Sequence, residues 1–290
     1  MTGLCRRLGV SRASYYRWRH RQDRPPSARV QRQQTITQQI QLIFTECHGR
    51  VGRRPMRKLL HQRGITCSAG LVHRIMATNR LQAIRHRAWR CTTRRNPAAS
   101  TAHLINHLQT PDGHRSFASP APGLRTVGDI TYIRTADGWL YLAVVIDLAN
   151  RAVIGWAIRT HLGTDLVMSA LTMAHTQHAL RPGVIFHSDH GSQYTSTAFQ
   201  SFCTRHQITQ SLGTTGVCWD NAVAESFFAT LKGDRRGLPA FPTRTAARHW
   251  LISYIEDWYN RRRPHSSNAN LPPLRSQPKA IPPPRPVSPS

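Results

Sequence analysis

The stretch "GDITYIRTADGWLYLAVVIDLANRAVIGWAI", residues 128–158, decides the fold of this chain. It holds three apolar segments that are rich in β-branched and aromatic residues, and turn residues separate them at Asp137-Gly138 and Asn150-Arg151. This pattern predicts three antiparallel strands joined by short turns.

Helical and strand patterns alternate after this meander. In chain order we predict a helix over 164–179, a strand over 183–189, a helix over 195–206, a short strand in "ITQS", a helix in "DNAVAESFFATLK" and a last helix over 243–260. A meander followed by alternating helices and strands favours an α/β fold of the ribonuclease-H type, with a mixed five-stranded sheet and flanking helices. We expect Asp220 to cap the helix of "DNAVAESFFATLK". The aromatic residues of the last helix are expected in the core rather than stacked on bases.

The charge of the chain is strongly positive and unevenly distributed. Forty Lys and Arg residues oppose thirteen Asp and Glu residues, a formal net charge of +27. Residues 1–100 contain 22 basic and 2 acidic residues, whereas residues 121–235 contain 8 of each. Such a charge indicates a polyanionic partner, and nucleic acid is the commonest one. A membrane surface is the weaker alternative, because the sequence has no apolar run long enough to span a bilayer.

Cysteine and histidine usage gives no sign of a zinc site. The six cysteines form no CxxC pair. His103 and His107 are four residues apart, but no cysteine pair follows them. The start of the chain lacks the pattern of a signal peptide. These features predict reduced thiols in a cytoplasmic protein.

A basic helical segment opens the chain. The stretch "LCRRLGVSRASYYRWRHR" predicts a helix, a turn at Gly9 and a second helix capped by Ser11. This spacing suits a helix-turn-helix, with Arg12, Arg17 and Arg19 as candidate DNA contacts. The alternative is a short basic hairpin that lies on the rest of the protein.

A second helical segment repeats the pattern, with a helix from Gln31 to Cys47, a turn at Gly64 and a helix capped by Ser68. It resembles a second small DNA-binding unit. Its predicted apolar positions are Ile36, Ile40 and Ile43, and then Leu71, Ile75 and Met76. The resulting division of the chain is 1–25 (helix-turn-helix-like segment), 26–84 (helical DNA-binding domain), 85–122 (basic linker), 123–275 (ribonuclease-H-like catalytic core) and 276–290 (Pro-rich tail).

Three acids within residues 121–235, where acidic and basic residues are equal in number, have no evident partner in sequence. Asp129 lies in the first strand of the meander. Asp189 ends the strand of "GVIFHSDHGSQYTS", at the carboxyl end where open α/β sheets form their sites. Glu225 lies on a helix, on one stripe with Asn221 and Lys232, because steps of four and seven residues return to the same side.

Convergence of these three carboxylates would place like charges together, and divalent cations would remove the repulsion. Hard oxygen ligands suit Mg²⁺ or Mn²⁺. Two such ions about 3.5–4 Å apart activate an attacking oxygen and stabilise a leaving oxygen in phosphoryl transfer. The alternative is that the acids are separate caps or salt-bridge partners.

Asp147, at the end of the second strand, is a fourth acid to consider. If Thr135 pairs with Trp139 across the turn, Asp129 faces Val145, and Asp147 lies one diagonal away within reach of a metal. We expect instead that Asp147 caps the end of its strand.

The spacing of the acids is that of a known family. Asp189 and Glu225 have 35 residues between them, and Asp129 precedes Asp189 by 60, which matches the DD(35)E pattern of transposases and retroviral integrases. The segments "GDITYI", "GWLYLAVVIDL", "IFHSDHGSQYTS" and "CWDNAVAESFFATLK" resemble the insertion-sequence-three family of bacterial transposases, in the product of its second reading frame. "YIEDWYNRRRPHS" resembles the closing motif of that family and "LGVSRASYYRW" its opening motif. The resemblance covers residues 1–267.

This resemblance implies a ribonuclease-H-like core in which Asp129, Asp189 and Glu225 bind two Mg²⁺ ions, with Mn²⁺ as a substitute. It implies hydrolysis at the ends of an insertion element, followed by attack of the freed 3′ hydroxyl on another phosphodiester. No covalent enzyme intermediate is expected, because in-line displacement needs positioning and charge neutralisation rather than a protein nucleophile.

The resemblance also implies DNA contacts and partners. Lys232 would contact a phosphate near the site, and Arg261, Arg262 and Arg263 of "NRRRPH" are further candidates. The expected partners are the element ends and the target DNA, a homo-oligomer on that DNA, and an upstream-frame protein or fusion partner.

Three stretches depart from the family pattern. "SLGTTGVCWDNA" has threonines where the family usually has a basic residue before the glycine, "HSSNANLPPLRS" lacks the usual leucine-glycine step, and "QTPDGHRSF" is lengthened. The three acids are intact. The alternatives are therefore a catalytically decayed transposase that only binds DNA, and a general nuclease that cuts unrelated DNA without joining ends.

Overall fold

The chain forms two compact units, Met1–Ala83 and Ile84–Ser290. The predicted cap Asp220, most of the predicted linker and nearly all of the tail lie outside the described residues. No helix among the residues that are described is long and apolar enough to cross a membrane. The computed structural model describes residues 7, 9–22, 25, 27–83, 105–108, 116–213, 221–235 and 238–276.

The N-terminal unit is helical. Its described helices are α1 (Arg12–Gln22), α2 (Ala28–Glu46), α3 (Arg53–Gln62) and α4 (Ala69–Thr78). Gly9 before α1 and Gly64 between α3 and α4 have φ angles of 65° and 77°, which favour glycine. The hydroxyls of Ser11 and Ser68 each accept a hydrogen bond from the backbone N–H three residues on, so both predicted caps are confirmed.

The core of this unit lies where α2, α3 and α4 meet. The packed side of α4 differs by one position from the prediction, because Val72 is buried and Leu71 is only half-buried. The buried apolar residues of the three helices are Ile36, Ile40, Ile43, Met56, Leu60, Val72, Ile75 and Met76.

The described part of the C-terminal unit is built on a mixed five-stranded sheet of order β3-β2-β1-β4-β5. The strands are β1 (Arg125–Thr135), β2 (Gly138–Asp147), β3 (Val153–Arg159), β4 (Ile185–Ser188) and β5 (Thr209–Leu212). β1, β2 and β3 form the antiparallel meander, whereas β4 pairs with β1, and β5 with β4, in parallel. This order and these directions confirm the predicted ribonuclease-H-like fold.

Helices cover both faces of the sheet. They are α5 (Thr164–Thr176), α6 (Thr197–Arg205), α7 (Ala222–Gly233) and α8 (Arg244–Ser253). One face, which includes Ala143 and Val145 of β2, forms a cluster with α5 and α6. α5 lies close to β3, since a Cβ built on Gly155 would be 2.2 Å from the carbonyl oxygen of Ala170. The other face is covered by α7 and α8, which pack against β1 and β2.

The last helix is not regular over its whole length. After α8 the chain continues as a π-helix, Tyr254–Tyr259, where a single α-helix was predicted. The aromatic side chains of Tyr254, Trp258 and Tyr259 are buried, which confirms that they belong to the core.

The register of the first hairpin corrects the prediction by one residue. Thr135 pairs with Gly138 rather than with Trp139, and Asp129 therefore faces Val144 rather than Val145. Gly138 has a φ angle of 110°, which permits the tight two-residue turn. A shift of one residue turns a strand's side chains to the opposite face. Asp147 consequently lies on the other face of the sheet from Asp129.

Asp147 is a cap, as expected. Its carboxylate accepts hydrogen bonds from the backbone N–H groups of Gly123 and Ala149, each at 2.6 Å. Burial raises the pKa of Asp147, and these hydrogen bonds act in the opposite direction. Asp147 stabilises the end of β2.

Candidate active site

Asp189 directly follows β4, and Asp129 lies on β1, the strand that runs parallel to β4. The β1–β4 register pairs Val127 with His187. Asp129 follows Val127 by two residues, and Asp189 follows His187 by two. Continuing the two-residue alternation of β4 by one position places Asp189 on the same face as Asp129 at the carboxyl end of β4, and the effect of the Asp189 charge on the pKa of Asp129 agrees with this placement.

Asp129 lies in an environment that disfavours its charge. Burial raises its pKa well above the usual range, and the negative charge of Asp189 raises it further, as does that of Glu225. A hydrogen bond of 2.7 Å from the Ile130 N–H to the Asp129 Oδ1 lowers the pKa, and so does the ammonium of Lys232. Burial and the repulsion from two other acids thus raise the pKa of Asp129 by more than the hydrogen bond and Lys232 lower it.

Asp189 is held by a turn that begins directly after β4. Its Oδ1 accepts a hydrogen bond of 2.9 Å from the N–H of Gly191. The next residue, His190, lies 2.7 Å through Nε2 from the carbonyl oxygen of Gly213 at the end of β5. These contacts fix the direction in which the chain leaves the sheet.

Glu225 lies in the first turn of α7, where the helix dipole favours a negative charge. Its pKa is raised by burial and then by the charge of Asp189. The Glu225 N–H donates to the carbonyl oxygen of Asn221 at 3.0 Å. Asn221 also reaches the sheet, because its Nδ2 donates to the carbonyl oxygen of Gly128 at 3.3 Å. Asn221 therefore links the helix of Glu225 to the residue before Asp129.

The Asn221 side chain has unused hydrogen-bonding capacity. Its Oδ1 is buried and accepts no hydrogen bond from any residue that the structure describes. A buried carbonyl oxygen without a hydrogen-bond donor lowers the stability of a protein by about 1–3 kcal/mol. The sequence singled out Asn221 only through its helical stripe with Glu225, since the link to β1 spans 93 residues.

Lys232 provides a positive charge near the acids. It lies in the last turn of α7, seven residues after Glu225. Burial lowers the pKa of Lys232 to about 8, while the charge of Asp129 acts to raise it. Its amine is therefore removed from water and yet within the electrostatic reach of a site carboxylate.

The three acids interact through charge rather than by enclosing a common point. In the part of the chain that the structure describes, no three His, Cys, Asp or Glu side chains lie close enough to hold a metal ion. Carboxylates are nevertheless preferred ligands of Mg²⁺, which usually keeps several waters and binds few protein groups. The donor set fits a divalent cation because such an ion would relieve the repulsion that raises the pKa values of Asp129 and Glu225. Residues 214–220, which lead into α7, lie outside the described ranges.

A buried acid at the end of α7 was not anticipated from the sequence. Asp234 accepts hydrogen bonds from the Tyr254 hydroxyl at 2.8 Å and from the Trp258 Nε1 at 3.3 Å. Buried Tyr and Trp side chains usually have a hydrogen-bond partner for their polar atoms. The predicted burial of Tyr254 and Trp258 therefore indicated that such a partner exists. The network ties the end of α7 to the π-helix.

The arginines that were predicted to contact DNA differ in their surroundings. Arg12, Arg17 and Arg19 are exposed on α1. In the C-terminal unit Arg261 is exposed, whereas Arg262 pairs with Asp257 at 2.8 Å and the Arg263 guanidinium lies 5.7 Å from the centroid of the Tyr259 ring. Their contacts with DNA stay a prediction.

Comparison with protein families finds two kinds of domain. Residues 119–218 and 206–273 match two families that are both described as integrase core domain. Residues 31–89 match a family described as HTH-like domain.

Curated relatives match nearly the whole chain. The chain is 36% identical over 282 residues to "Transposase InsF for insertion sequence IS3A" of Escherichia coli strain K12, covering 96% of this chain and 94% of the relative. It is 34% identical over 244 residues to "Transposase for insertion sequence element IS904" of Lactococcus lactis subsp. lactis strain IL1403, covering 84% of this chain and 93% of the relative.

Solved structures show more distant similarity. A chain of the simian T-cell lymphotropic virus intasome in complex with PP2A regulatory subunit B56 gamma aligns with a TM-score of 0.48 and 17% identity, over 87% of this chain and 80% of that one. The HTLV-2 integrase catalytic core domain in complex with magnesium aligns with a TM-score of 0.42 and 18% identity, over 54% and 97%.

Proposed function

Because the chain belongs to the insertion-sequence-three family of transposases, we propose that it cuts DNA at the ends of an insertion element and joins them to target DNA, with Asp129, Asp189 and Glu225 as its catalytic carboxylates. The protein is an enzyme of the polynucleotidyl-transferase type. The observation that supports the proposed site is the β1–β4 register, which brings Asp129 beside the residue that follows β4, together with the hydrogen bond from Asn221 to Gly128 that ties the helix of Glu225 to β1.

We propose that these carboxylates hold two Mg²⁺ ions, for which Mn²⁺ can substitute. When bound, such ions activate the attacking oxygen and stabilise the leaving oxygen. The raised pKa values of Asp129 and Glu225 support this assignment, since a neighbouring cation favours the ionised form of both groups. Protons and metal ions then compete for the same carboxylates.

Lys232 is the proposed phosphate contact beside the acids. Its pKa of about 8 leaves it mostly protonated at neutral pH, and a phosphate oxygen beside it would favour the charged form further. A direct in-line displacement requires positioned charges but no protein nucleophile. The proposed reaction therefore has no covalent enzyme intermediate.

Purified protein, Mg²⁺ and DNA that carries the element ends provide the test. We expect cleavage at the ends and joining to a second DNA, and we expect Asp189→Asn and Glu225→Gln to abolish both while DNA affinity stays unchanged. The matched control is Asp165→Asn, which alters a half-exposed carboxylate of the same unit and should leave the reaction intact. Loss of DNA binding together with chemistry in the site variants would show that the acids are structural.

A second candidate function is that of a decayed transposase that only binds DNA. The departures in "SLGTTGVCWDNA" and "HSSNANLPPLRS" favour it. Under this alternative the protein retards DNA in a gel without any metal-dependent nicking. A general nuclease would instead cut unrelated DNA and join nothing.

We further propose that the enzyme acts as a homo-oligomer on paired element ends, in the cytoplasm, where it meets nucleoid DNA. Joining two ends in one reaction supports an oligomer, and the charge of +27 supports DNA as the partner. An upstream-frame protein is a proposed additional partner.

A further inference from the structure

A cavity of about 690 Å³ opens in the N-terminal unit between the start of α2 and the start of α4. Arg29 and Arg32 of α2 and Arg74 of α4 line it, together with Thr66 and Ser68 from the segment that precedes α4. Two helices thus contribute three guanidinium groups to one concave surface.

Within residues 28–83, no acid neutralises the positive charge of this cavity. Residues 28–83, all of which the structure describes, contain ten Lys and Arg residues and a single acid, Glu46. Glu46 already pairs with Arg63. None of the described residues that line the cavity carries a carboxylate. Guanidinium groups that lack a nearby acid repel one another, so an anion that binds among them is stabilised.

Some polar groups at the cavity are engaged, which defines what remains for a ligand. The Arg32 Nη2 donates to the carbonyl oxygen of Thr66 at 3.2 Å, and the Ser68 hydroxyl accepts from the α4 backbone at 3.2 Å. Burial raises the pKa of the adjoining Cys67 thiol, whereas the charges of Arg57 and Arg32 lower it, so the positive field reaches the cavity wall. The other guanidinium N–H groups can donate to phosphate oxygens. One arginine commonly donates two parallel hydrogen bonds to two oxygens of the same phosphate.

The exposed side of α4, beside the cavity, carries small residues. Ala69, Gly70 and Ala77 are exposed, and no atom lies within 4 Å of a Cβ built on Gly70. Small side chains let a second surface approach the helix backbone closely. The major groove of B-DNA admits an α-helix of this kind.

We propose that this cavity binds one backbone phosphate of duplex DNA through Arg29, Arg32 and Arg74, and thereby positions α4 against the duplex. The inference rests on the proposed function only in taking DNA as the partner, and it involves none of the three acids. A phosphate contact carries no base information, so the cavity sets the register of the protein on DNA rather than its sequence preference.

The first test is the salt dependence of DNA binding, measured by fluorescence anisotropy without divalent metal. The probe is a labelled duplex from the end of the element. The slope of log K against log salt concentration is negative, and losing one phosphate contact makes it shallower by about 0.9. We expect this loss in the variant that combines Arg29→Gln, Arg32→Gln and Arg74→Gln, since the three side chains share one phosphate. The matched control is Arg80→Gln, an exposed arginine that follows α4 outside the cavity, and we expect a smaller change.

Three results would overturn the proposal. An equal fall in slope for Arg80→Gln, or a several-fold larger fall for the combined variant, would indicate diffuse attraction. An unchanged slope would remove DNA as the occupant and leave an acidic peptide as the class to test. Circular-dichroism melting of each variant separates these results from unfolding. Arg29 and Arg74 are exposed, and Arg32→Gln removes the hydrogen bond to the carbonyl oxygen of Thr66, so we expect at most a small fall in Tm.

A second measurement locates the phosphate. Duplexes in which a neutral methylphosphonate replaces one phosphate at a time should bind wild-type protein more weakly at one or two adjacent positions. In the variant that combines Arg29→Gln, Arg32→Gln and Arg74→Gln, the same replacement should have little further effect, because the contact is already lost. Additive losses at every position would contradict a seated phosphate. Since no metal is present, failure of the proposed cleavage reaction would leave both measurements interpretable.

Discussion

The ring of Phe186 fills the space in which a side chain on Gly128 would stand, since a Cβ built on Gly128 would lie 2.2 Å from the Phe186 Cζ. Gly128 directly precedes Asp129, and Phe186 precedes Asp189 by three residues on the adjacent parallel strand. The ring belongs to the core cluster on the α5 side of the sheet, opposite the acids. Packing on one face therefore fixes the backbone from which the acids project on the other.

Gly128→Ala is expected to destabilise the C-terminal unit by about 1–3 kcal/mol, because an added methyl overfills a packed core. Urea unfolding followed by tryptophan fluorescence measures the change. Gly70→Ala is the control for the same substitution, since nothing lies within 4 Å of the added carbon and α4 should gain up to about 1 kcal/mol. Wild-type stability for Gly128→Ala would show that Phe186 moves aside at no cost.

Asn221→Ala is expected to slow cleavage about tenfold while DNA affinity is unchanged. The substitution removes the hydrogen bond to Gly128 that links the helix of Glu225 to β1, and about 1.4 kcal/mol at the barrier corresponds to a factor of ten. Single-turnover cleavage rates provide the measurement.

Asn268→Ala is the matched control for Asn221→Ala. It removes a comparable side-chain hydrogen bond, to the carbonyl oxygen of Asn150, away from the residues of the site. We expect it to lower stability without slowing the bond-cleavage step. Equal rates in the two variants would mean that the link at Asn221 is purely structural.

His265 should make stability depend on pH in the acid range. Its pKa is lowered from 6.5 to about 4, first by burial and then by the charges of Arg263 and Arg151. The unfolded chain therefore takes up a proton before the folded protein does. The contribution of neutral His265 is complete above about pH 6.5 and is lost as the pH falls toward about 4, on the order of 2–3 kcal/mol.

The substitution His265→Gln should flatten the loss of stability across this window. Urea unfolding at a series of pH values gives the curve for each variant. His178→Gln alters an exposed histidine and should reproduce the wild-type curve. A curve for His265→Gln that is as steep as the wild-type one would assign the acid sensitivity to other groups.

Ala269→Gly is expected to stabilise the protein by about 1 kcal/mol. Ala269 has a φ angle of 55°, which costs an L-residue roughly 1–2 kcal/mol, and glycine avoids this cost. The side chain is exposed, so little packing is lost. Thermal unfolding measures the gain. Ala246→Gly, within the first turn of α8, should have the opposite effect, and a loss of stability for Ala269→Gly would exclude backbone strain in the stretch that departs from the family pattern.

Local patterns predicted most of the fold. The three apolar segments of residues 128–158 and the turn residues between them predicted the meander, and the spacing of the acids predicted which residues to examine. Turn geometry was harder, because the turn near Asp137-Gly138 can close with either two or three residues. The pairing of Thr135 was consequently wrong by one position, and the face of Asp147 with it.

Features that depend on long-range packing could not be predicted. The hydrogen bond from Asn221 to Gly128 forms only when α7 rests on the completed sheet. The aromatic stripe after α8 was correctly assigned to the core. Its partner Asp234 and its change to a π-helix depend on how two helices meet, which no local pattern records.

Because Val127 pairs with His187, only an insertion of an even number of residues after His187 keeps Asp189 on its side of the sheet. One residue inserted between His187 and Asp189 would turn that acid toward α5, whereas two would keep its side and advance it by about 7 Å. We therefore expect changes in chain length to be tolerated best where parity has no effect, as in the loop at residues 160–163 between β3 and α5.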